Sequence, residues 1–186
     1  MSGTSENSVI SVMEALKSEN TSGMAQFGLI GAGDIKTYSE IRDICRGNTC
    51  GNYGKTWACP PGSGTLEECR EILRKYESAV VFSGKYGLED CYDFEGMMRG
   101  HRSFKKLCDI IHERISALGQ KHLLLSNEGC TRCEKCTYPD TPCRMPELLF
   151  PSVEGFGINV SQLAAAAKIA YNNGVNTVTY LGVLLF

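Results

Sequence analysis

The feature that most constrains this chain is the placement of its ten cysteines. Seven lie in two short segments, CRGNTCGNYGKTWACPP and CTRCEKCTYPDTPC. The first set is Cys45, Cys50 and Cys59, and the second set is Cys130, Cys133, Cys136 and Cys143. A fold that uses these thiols together has to bring the side chains of each set to one point. We therefore expect two cysteine-rich loops carried by a stable scaffold.

The composition indicates one soluble domain without a nucleic-acid or membrane partner. The chain has 186 residues, 42% of them apolar and 22% charged, which is enough for one buried core. Its net charge of -2 lacks the basic excess typical of phosphate-binding domains. The polar start MSGTSENSV does not resemble a signal peptide, and the apolar end VTYLGVLLF is too short to span a bilayer. We expect a cytoplasmic protein.

That location changes the meaning of clustered cysteines. Stable disulfides are rare in a reducing compartment, so closely spaced thiols there more often bind metal or perform redox chemistry. The count alone decides nothing, because free cysteine is also a common small core residue. Spacing separates the two kinds. Cys69, Cys91 and Cys108 lie in or beside apolar helical patterns, apart from other cysteines, and are interpreted as core residues.

The second set gives the stronger signal. Cys130, Cys133 and Cys136 follow one another at C-x2-C-x2-C spacing, and Cys143 comes seven residues later, as in the cluster-binding runs of ferredoxins. A loop that curls around a 4Fe–4S cluster points every third side chain inward. A structural zinc site usually takes two separated C-x2-C pairs, which makes a third close thiolate unusual. The spacing favours an iron–sulfur cluster, with zinc as the alternative.

The first set is spaced C-x4-C-x8-C and is followed by two prolines. Glycines between the cysteines allow the tight turns that converge three side chains, and the prolines exclude a helix and stiffen the exit. Tyr53 and Trp57 lie in the same segment, where they either shield a metal cluster from water or take part in ordinary packing. We interpret this segment as a second metal-binding loop.

Seven candidate ligands do not divide evenly into fours. The second set can close one cluster while the first set holds three irons of another, whose fourth iron binds water, a substrate or an unpredicted side chain. The ligands can instead be crossed, as in ferredoxins in which one cysteine of a run serves the other cluster. The third alternative is one cluster on the second set beside a vacant thiol loop.

Basic residues accompany both sets. They are Arg46 and Lys55 in the first segment, and Arg132, Lys135 and Arg144 in the second. Nearby cations keep thiols ionised and raise the potential of a negatively charged cluster. Solvated surface charge is the simpler interpretation of each of them.

Other catalytic signals are weak. Glu154 in PSVEGFG is the best candidate for an acid–base group, with a surface or capping role as the simpler alternative. His101, His112 and His122 are scattered, and we expect them at the surface or partly buried rather than as ligands. The stretch GAGDIK begins like a dinucleotide loop, but Lys36 stands where the third glycine should be.

Strand and helix patterns alternate along the chain. The predicted strands are AQFGLIGAG, SAVVFSGKY, KHLLLS and NTVTYLGVLLF, and the predicted helices are VISVMEALK, IKTYSEIRDIC, TLEECREILRKY, residues 92–119 and NVSQLAAAAKIAYNNG. Asp34 is the expected N-cap of the second helix, and Thr65 with Glu68 forms a capping box for the third. These patterns predict an α/β fold with a central sheet of about four strands flanked by helices. We divide the chain into a flexible segment, 1–23, and a single metal-binding domain, 24–186.

The motifs CGNYGKTWACPP, GCTRCEKC, PCRMPE and PSVEGFGINV together resemble an uncharacterised bacterial and archaeal family of predicted metal-binding proteins, domain of unknown function 2284. The resemblance covers most of the chain from about Cys45 to the C-terminus. It implies metal binding and assigns no reaction.

Three functions follow as expectations. The first is an iron–sulfur protein with one or two 4Fe–4S clusters on the seven cysteines, which transfers electrons to or from a redox partner protein or serves a partner enzyme as a redox accessory. The second is an enzyme in which an open iron of the three-cysteine cluster acts on a small molecule as a Lewis acid or sulfur acceptor. The third is a scaffold stabilised by zinc.

Overall fold

The structure, a computed structural model, describes residues 3–17, 23–127 and 129–186. These described residues form five α-helices and four β-strands. The helices are α1 (Gly3–Lys17), α2 (Ser39–Arg46), α3 (Leu66–Leu73), α4 (Phe94–Ala117) and α5 (Val160–Ala166). The strands are β1 (Gln26–Gly31), β2 (Ser78–Gly87), β3 (Leu123–Leu125) and β4 (Thr177–Leu185).

The strands form one sheet in the order β1-β2-β4-β3, and every neighbouring pair in it is antiparallel. Strands β2 and β4 lie in the middle, and Val81 of β2 pairs with Val183 of β4. Both central strands are rich in β-branched and aromatic residues, which favour extended backbone. The predicted α/β architecture, a central sheet flanked by helices, is confirmed.

A hydrophobic core covers each face of the sheet. Because successive side chains of a strand point to opposite faces, Ala79 and Val81 enter one core while Val80 and Phe82 enter the other. Helices α3 and α5 close the first core. Helices α1 and α4 close the second, in which Phe82 and Phe104 stack with ring centroids 5.7 Å apart. The sheet is therefore fixed on both sides and provides a rigid support for the loops.

Helix α1 lies within the segment 1–23 that the sequence separates from the domain. Val12 and Leu16 of this helix are fully buried in the core beneath α4. Residues 1, 2 and 18–22 of the segment lie outside the described residues. The division of the chain at residue 23 stays a prediction.

The capping box at the start of α3 is confirmed, since the Thr65 side chain accepts a hydrogen bond from the Glu68 backbone N–H. The predicted start of α2 is wrong. Asp34 ends a short 3-10 turn and accepts from the backbone N–H of Gly31, while α2 begins at Ser39. The intervening backbone is extended because the Tyr38 N–H donates to the carbonyl of Gly157, 2.7 Å away.

Helix α5 is shorter than the predicted range 159–174. It begins as predicted after Asn159, whose side chain accepts from the Gln162 N–H, but it ends at Ala166. Lys168 then adopts a left-handed conformation with φ of 57°, which stops the helix well before the expected glycine. The shorter helix leaves residues 167–176 to lead back to β4.

The structure brings together two histidines that the sequence leaves scattered. His112 on α4 and His122 before β3 have ring nitrogens 2.9 Å apart, and a second ring nitrogen of His122 lies 2.8 Å from the Gln120 carbonyl oxygen. Burial, followed by the neighbouring His122, lowers the pKa of His112 below its ordinary value of 6.5. By contrast, His101, expected at the surface or partly buried, is buried against Tyr180.

We expect the free energy of unfolding to decrease as the pH falls through about 6.5. The lowered pKa of His112 means that the unfolded chain takes up its proton first, so this contribution is complete above that pH and is lost below it. Urea unfolding at about pH 7.5 and about pH 5.5 measures the difference. His112→Asn should reduce it, and an equal pH effect in the variant and the wild type would contradict the assignment.

Candidate metal centre

The three cysteines of the first set line one cavity of about 490 Å³. Cys45 lies in the last turn of α2, Cys50 is exposed in the following turn, and Cys59 is buried before Pro60. The rest of the lining is largely apolar, with Ile, Val, Tyr and Pro side chains, and it includes Glu154. The fold thus brings the first set together at a cavity that is open to solvent on one side.

Burial keeps two of these thiols protonated in the metal-free protein. It raises the pKa of Cys45 to about 11, with further increases from the charges of Glu154, Cys50 and Cys59. Burial also raises the pKa of Cys59, although hydrogen bonds with Ser152 and Thr56 oppose it. Because a metal binds the thiolate, metal binding at this site has to release protons.

Glu154 belongs to the same site although it is far away in sequence. Its backbone segment is tied to the first set on one side, where the Ser152 N–H donates to the carbonyl of Ala58 at 2.9 Å. The Cys59 thiol also donates to the Ser152 hydroxyl at 3.7 Å. Gly155 leaves no space for a side chain, since a Cβ there would lie 2.4 Å from the Ser152 hydroxyl oxygen. This segment therefore forms part of the cavity wall beside Cys59.

Arg42 is a site residue that sequence reasoning missed. Its guanidinium donates to the carbonyl oxygens of Gly155 and Gly64, the latter at 2.7 Å, and so joins α2 to the Glu154 segment. Its charge lowers the pKa of Cys45 against the larger effect of burial. The one local signal was its position three residues before Cys45, which places both side chains on one face of α2.

The second set lies in turns and bends between β3 and the 3-10 turn Pro146–Leu148. Its four cysteines are all partly buried. Burial raises the pKa of Cys130, while the backbone N–H of Arg132 and the charge of Lys105 lower it. The charge of Cys143 also raises the pKa of Cys130.

Two basic side chains, those of Lys105 and Arg132, lie near Cys130. Lys105, on α4, donates to the Ser126 hydroxyl at 3.0 Å and to the carbonyl oxygen of Asn127. Arg132 binds both carboxylate oxygens of Asp109, one of them at 2.9 Å. Arg132 was expected near the thiols, whereas Lys105 was missed because it lies on a different element, 25 residues earlier.

The other predicted cations take different places. Arg46 forms an exposed ion pair with Asp43 at 2.8 Å, so its surface interpretation fits the structure. Arg144 donates to the carbonyl of Lys135 at 3.1 Å and thereby closes the loop of the second set.

The two cysteine segments pack against each other through Trp57. The indole N–H lies 3.3 Å from the Thr137 hydroxyl and 3.2 Å from the Thr141 carbonyl oxygen, and it can donate to either. The indole also meets the Tyr138 ring edge-on, with centroids 4.9 Å apart. We call this contact the loop junction. It joins the two segments, although they are about 70 residues apart in the chain.

The remaining cysteines divide differently from the prediction. Cys69 and Cys108 are completely buried in the two cores, which confirms their structural role. Cys91 was expected in the core but is exposed. It lies in a turn before Asp93, the N-cap of α4, and therefore outside the apolar face of that helix.

The donors at both sites suit a metal that prefers sulfur, since each set offers thiols. In the described part of the chain, no three His, Cys, Asp or Glu side chains lie close enough to hold a metal ion as they stand. A single zinc ion needs four ligand atoms about 2.1–2.3 Å from its centre. The thiols therefore have to turn toward any metal they bind.

Two thiol-rich segments on an α/β scaffold offer the donors that a metal-binding protein uses. The chain belongs to the family of predicted metal-binding proteins DUF2284, whose model matches residues 28–186. Searches of curated proteins and of solved structures found no match. Within the described residues, no helix has both the length and the apolar character that crossing a membrane requires.

Proposed function

We propose that this protein is a cytoplasmic iron–sulfur protein with two 4Fe–4S clusters, one on each set of cysteines, and that it exchanges electrons with a redox partner protein. One observation carries the proposal. The three thiols of the first set line a single cavity, and their segment packs directly on the segment of the second set.

The ligand sets support clusters over single ions. Thiolates of one iron–sulfur cluster bind different irons, so they are spread more widely than the ligands of one zinc ion. The C-x2-C-x2-C spacing of the second set suits a cluster, and the first set supplies three further thiols. When bound, such clusters supply one-electron transfer, and an iron without a protein thiolate supplies a Lewis-acid position.

The surroundings of each set favour different roles. Cys130 lies beside Lys105 and Arg132, whose charges oppose the increase that burial causes in its pKa. The first set faces a largely apolar cavity of about 490 Å³, a size typical of pockets for small molecules. We therefore assign electron exchange with the partner to the second set. Small-molecule chemistry at the first set is the second candidate function.

The loop junction provides the contact that electron transfer between the two sets requires. Trp57 of the first segment touches the second segment at Thr137, Tyr138 and Thr141. Asn52 of the first segment also packs closely against Gly129, next to Cys130. The two cysteine segments are thus in direct contact, which supports electron transfer between clusters held by them.

Anaerobically reconstituted protein is expected to contain iron and acid-labile sulfide in near-equal amounts, with broad visible absorption that dithionite bleaches. Metal analysis, sulfide assay and absorption spectroscopy on the full chain make the measurement. Stoichiometric zinc without sulfide after the same reconstitution would instead establish the zinc-stabilised scaffold. Iron sufficient for a single cluster would leave the first set as a vacant thiol loop.

A further inference from the structure

We infer that Glu154 is the fourth protein ligand of the centre on the first set. The seven cysteines supply four donors to one centre and three to the other, so one donor is missing. Glu154 lines the same cavity as Cys45, Cys50 and Cys59. This inference rests on the proposed function, and it names the side chain that completes the ligand set.

Glu154 is half-buried at the cavity that the three thiols line. Among the residues that line this cavity, Glu154 is the one carboxylate. It is therefore the one acidic side chain at this cavity that can join the three thiols as a ligand.

Hydrogen bonds fix the backbone around Glu154 to the chain beside Cys59 and to α2, which carries Cys45. Ser152 is hydrogen-bonded to Ala58, the neighbour of Cys59, and Gly155 accepts from Arg42, which lies one turn before Cys45 on α2. Gly155 also packs on Pro60, because a Cβ there would lie 3.3 Å from the proline ring. These contacts hold the Glu154 backbone in a constant position relative to two of the three cysteines.

A carboxylate differs from a thiolate as a ligand. Both carry one negative charge, but oxygen is a harder donor and suits iron–sulfur centres less well than sulfur does. Glu154 would therefore close the site in the resting protein and still give way to a small soft ligand entering from the cavity. A fourth cysteine would close the site more permanently.

The test compares Glu154→Gln, Glu154→Cys and the control Glu40→Gln after anaerobic reconstitution of the full chain. Glu40 is an exposed carboxylate on α2 that does not line the cavity. The readouts are iron content, electron paramagnetic resonance spectra and titration with cyanide. We expect Glu154→Gln to alter one of two cluster signals and to respond to cyanide at about tenfold lower concentration, equivalent to about 1.4 kcal/mol.

Glu154→Cys is expected to keep both clusters and to lose the cyanide response, since a thiolate then holds the fourth position. Glu40→Gln should match the wild type throughout. Iron-loaded Glu154→Gln and Glu154→Cys proteins with wild-type spectra and wild-type cyanide responses would overturn the inference and leave the proposed function standing. Wild-type protein without iron and sulfide would overturn the proposed function and the inference together.

Discussion

Cys133→Ser is expected to give colourless or poorly soluble protein, whereas Cys108→Ser should keep the colour of the wild type. Cys133 is a partly buried member of the second set, and its loss removes a proposed ligand from the most compact run of thiols. Where a metal centre ties a long loop together, the free energy of metal binding is also free energy of folding. The effect should therefore exceed that of an ordinary side-chain replacement.

Cys108→Ser provides the matched comparison, because it makes the same chemical change in the core. Cys108 is fully buried, with its sulfur 3.5 Å from the Ser126 hydroxyl oxygen. The added polarity should lower the free energy of unfolding by about 1–3 kcal/mol. Soluble yield, visible absorption and denaturant unfolding make the comparison. Equal loss of colour in both variants would show that the division into ligand and core cysteines is wrong.

Cys50→Ser is expected to retain one reducible cluster and to lose the other. Cys50 is exposed, so its replacement should disturb the protein fold little while removing a proposed ligand from the first set. Electron paramagnetic resonance of the dithionite-reduced protein should show one of the two wild-type signals. Added small thiols or cyanide should perturb only the wild-type signal that this variant lacks.

Cys91→Ser is the control for replacing an exposed cysteine, since Cys91 is exposed and lies outside both sets. It should match the wild type in iron content and spectrum. Full iron content and an unchanged spectrum in Cys50→Ser would mean that the first segment holds no metal. A single cluster on the second set would then replace the two-cluster proposal.

The helices and strands were predicted well from the sequence because the patterns that specify them involve residues close together in the chain. The capping box of Thr65 and Glu68 and the apolar periodicity of α4 depend on neighbours within one or two turns. The errors arose where a distant segment decides the backbone. Tyr38 is held extended by Gly157, which no local pattern reveals, so the start of α2 was misplaced. The order and direction of the strands were likewise beyond local patterns.

The residues of the candidate site likewise include some that local patterns predict and others that only the fold reveals. Spacing alone marked the seven cysteines, because the donors of a centre are close together in the chain within each set. The position of Glu154 beside Cys45, more than 100 residues earlier, depends on hydrogen bonds from Arg42 and Ser152. Lys105 reaches Cys130 from α4 in a comparable manner. Residues that join the site from distant elements require the fold to be known.

The loop junction also gives this protein an internal optical reporter. Trp57 is the one tryptophan in the chain, and its indole lies between the two cysteine segments. Indole emission responds to nearby polarity and to groups that quench it. The tryptophan fluorescence of the whole protein is therefore the signal of that single place. A change in the emission on metal loading, reduction or docking of a partner therefore reports on the contact between the two segments.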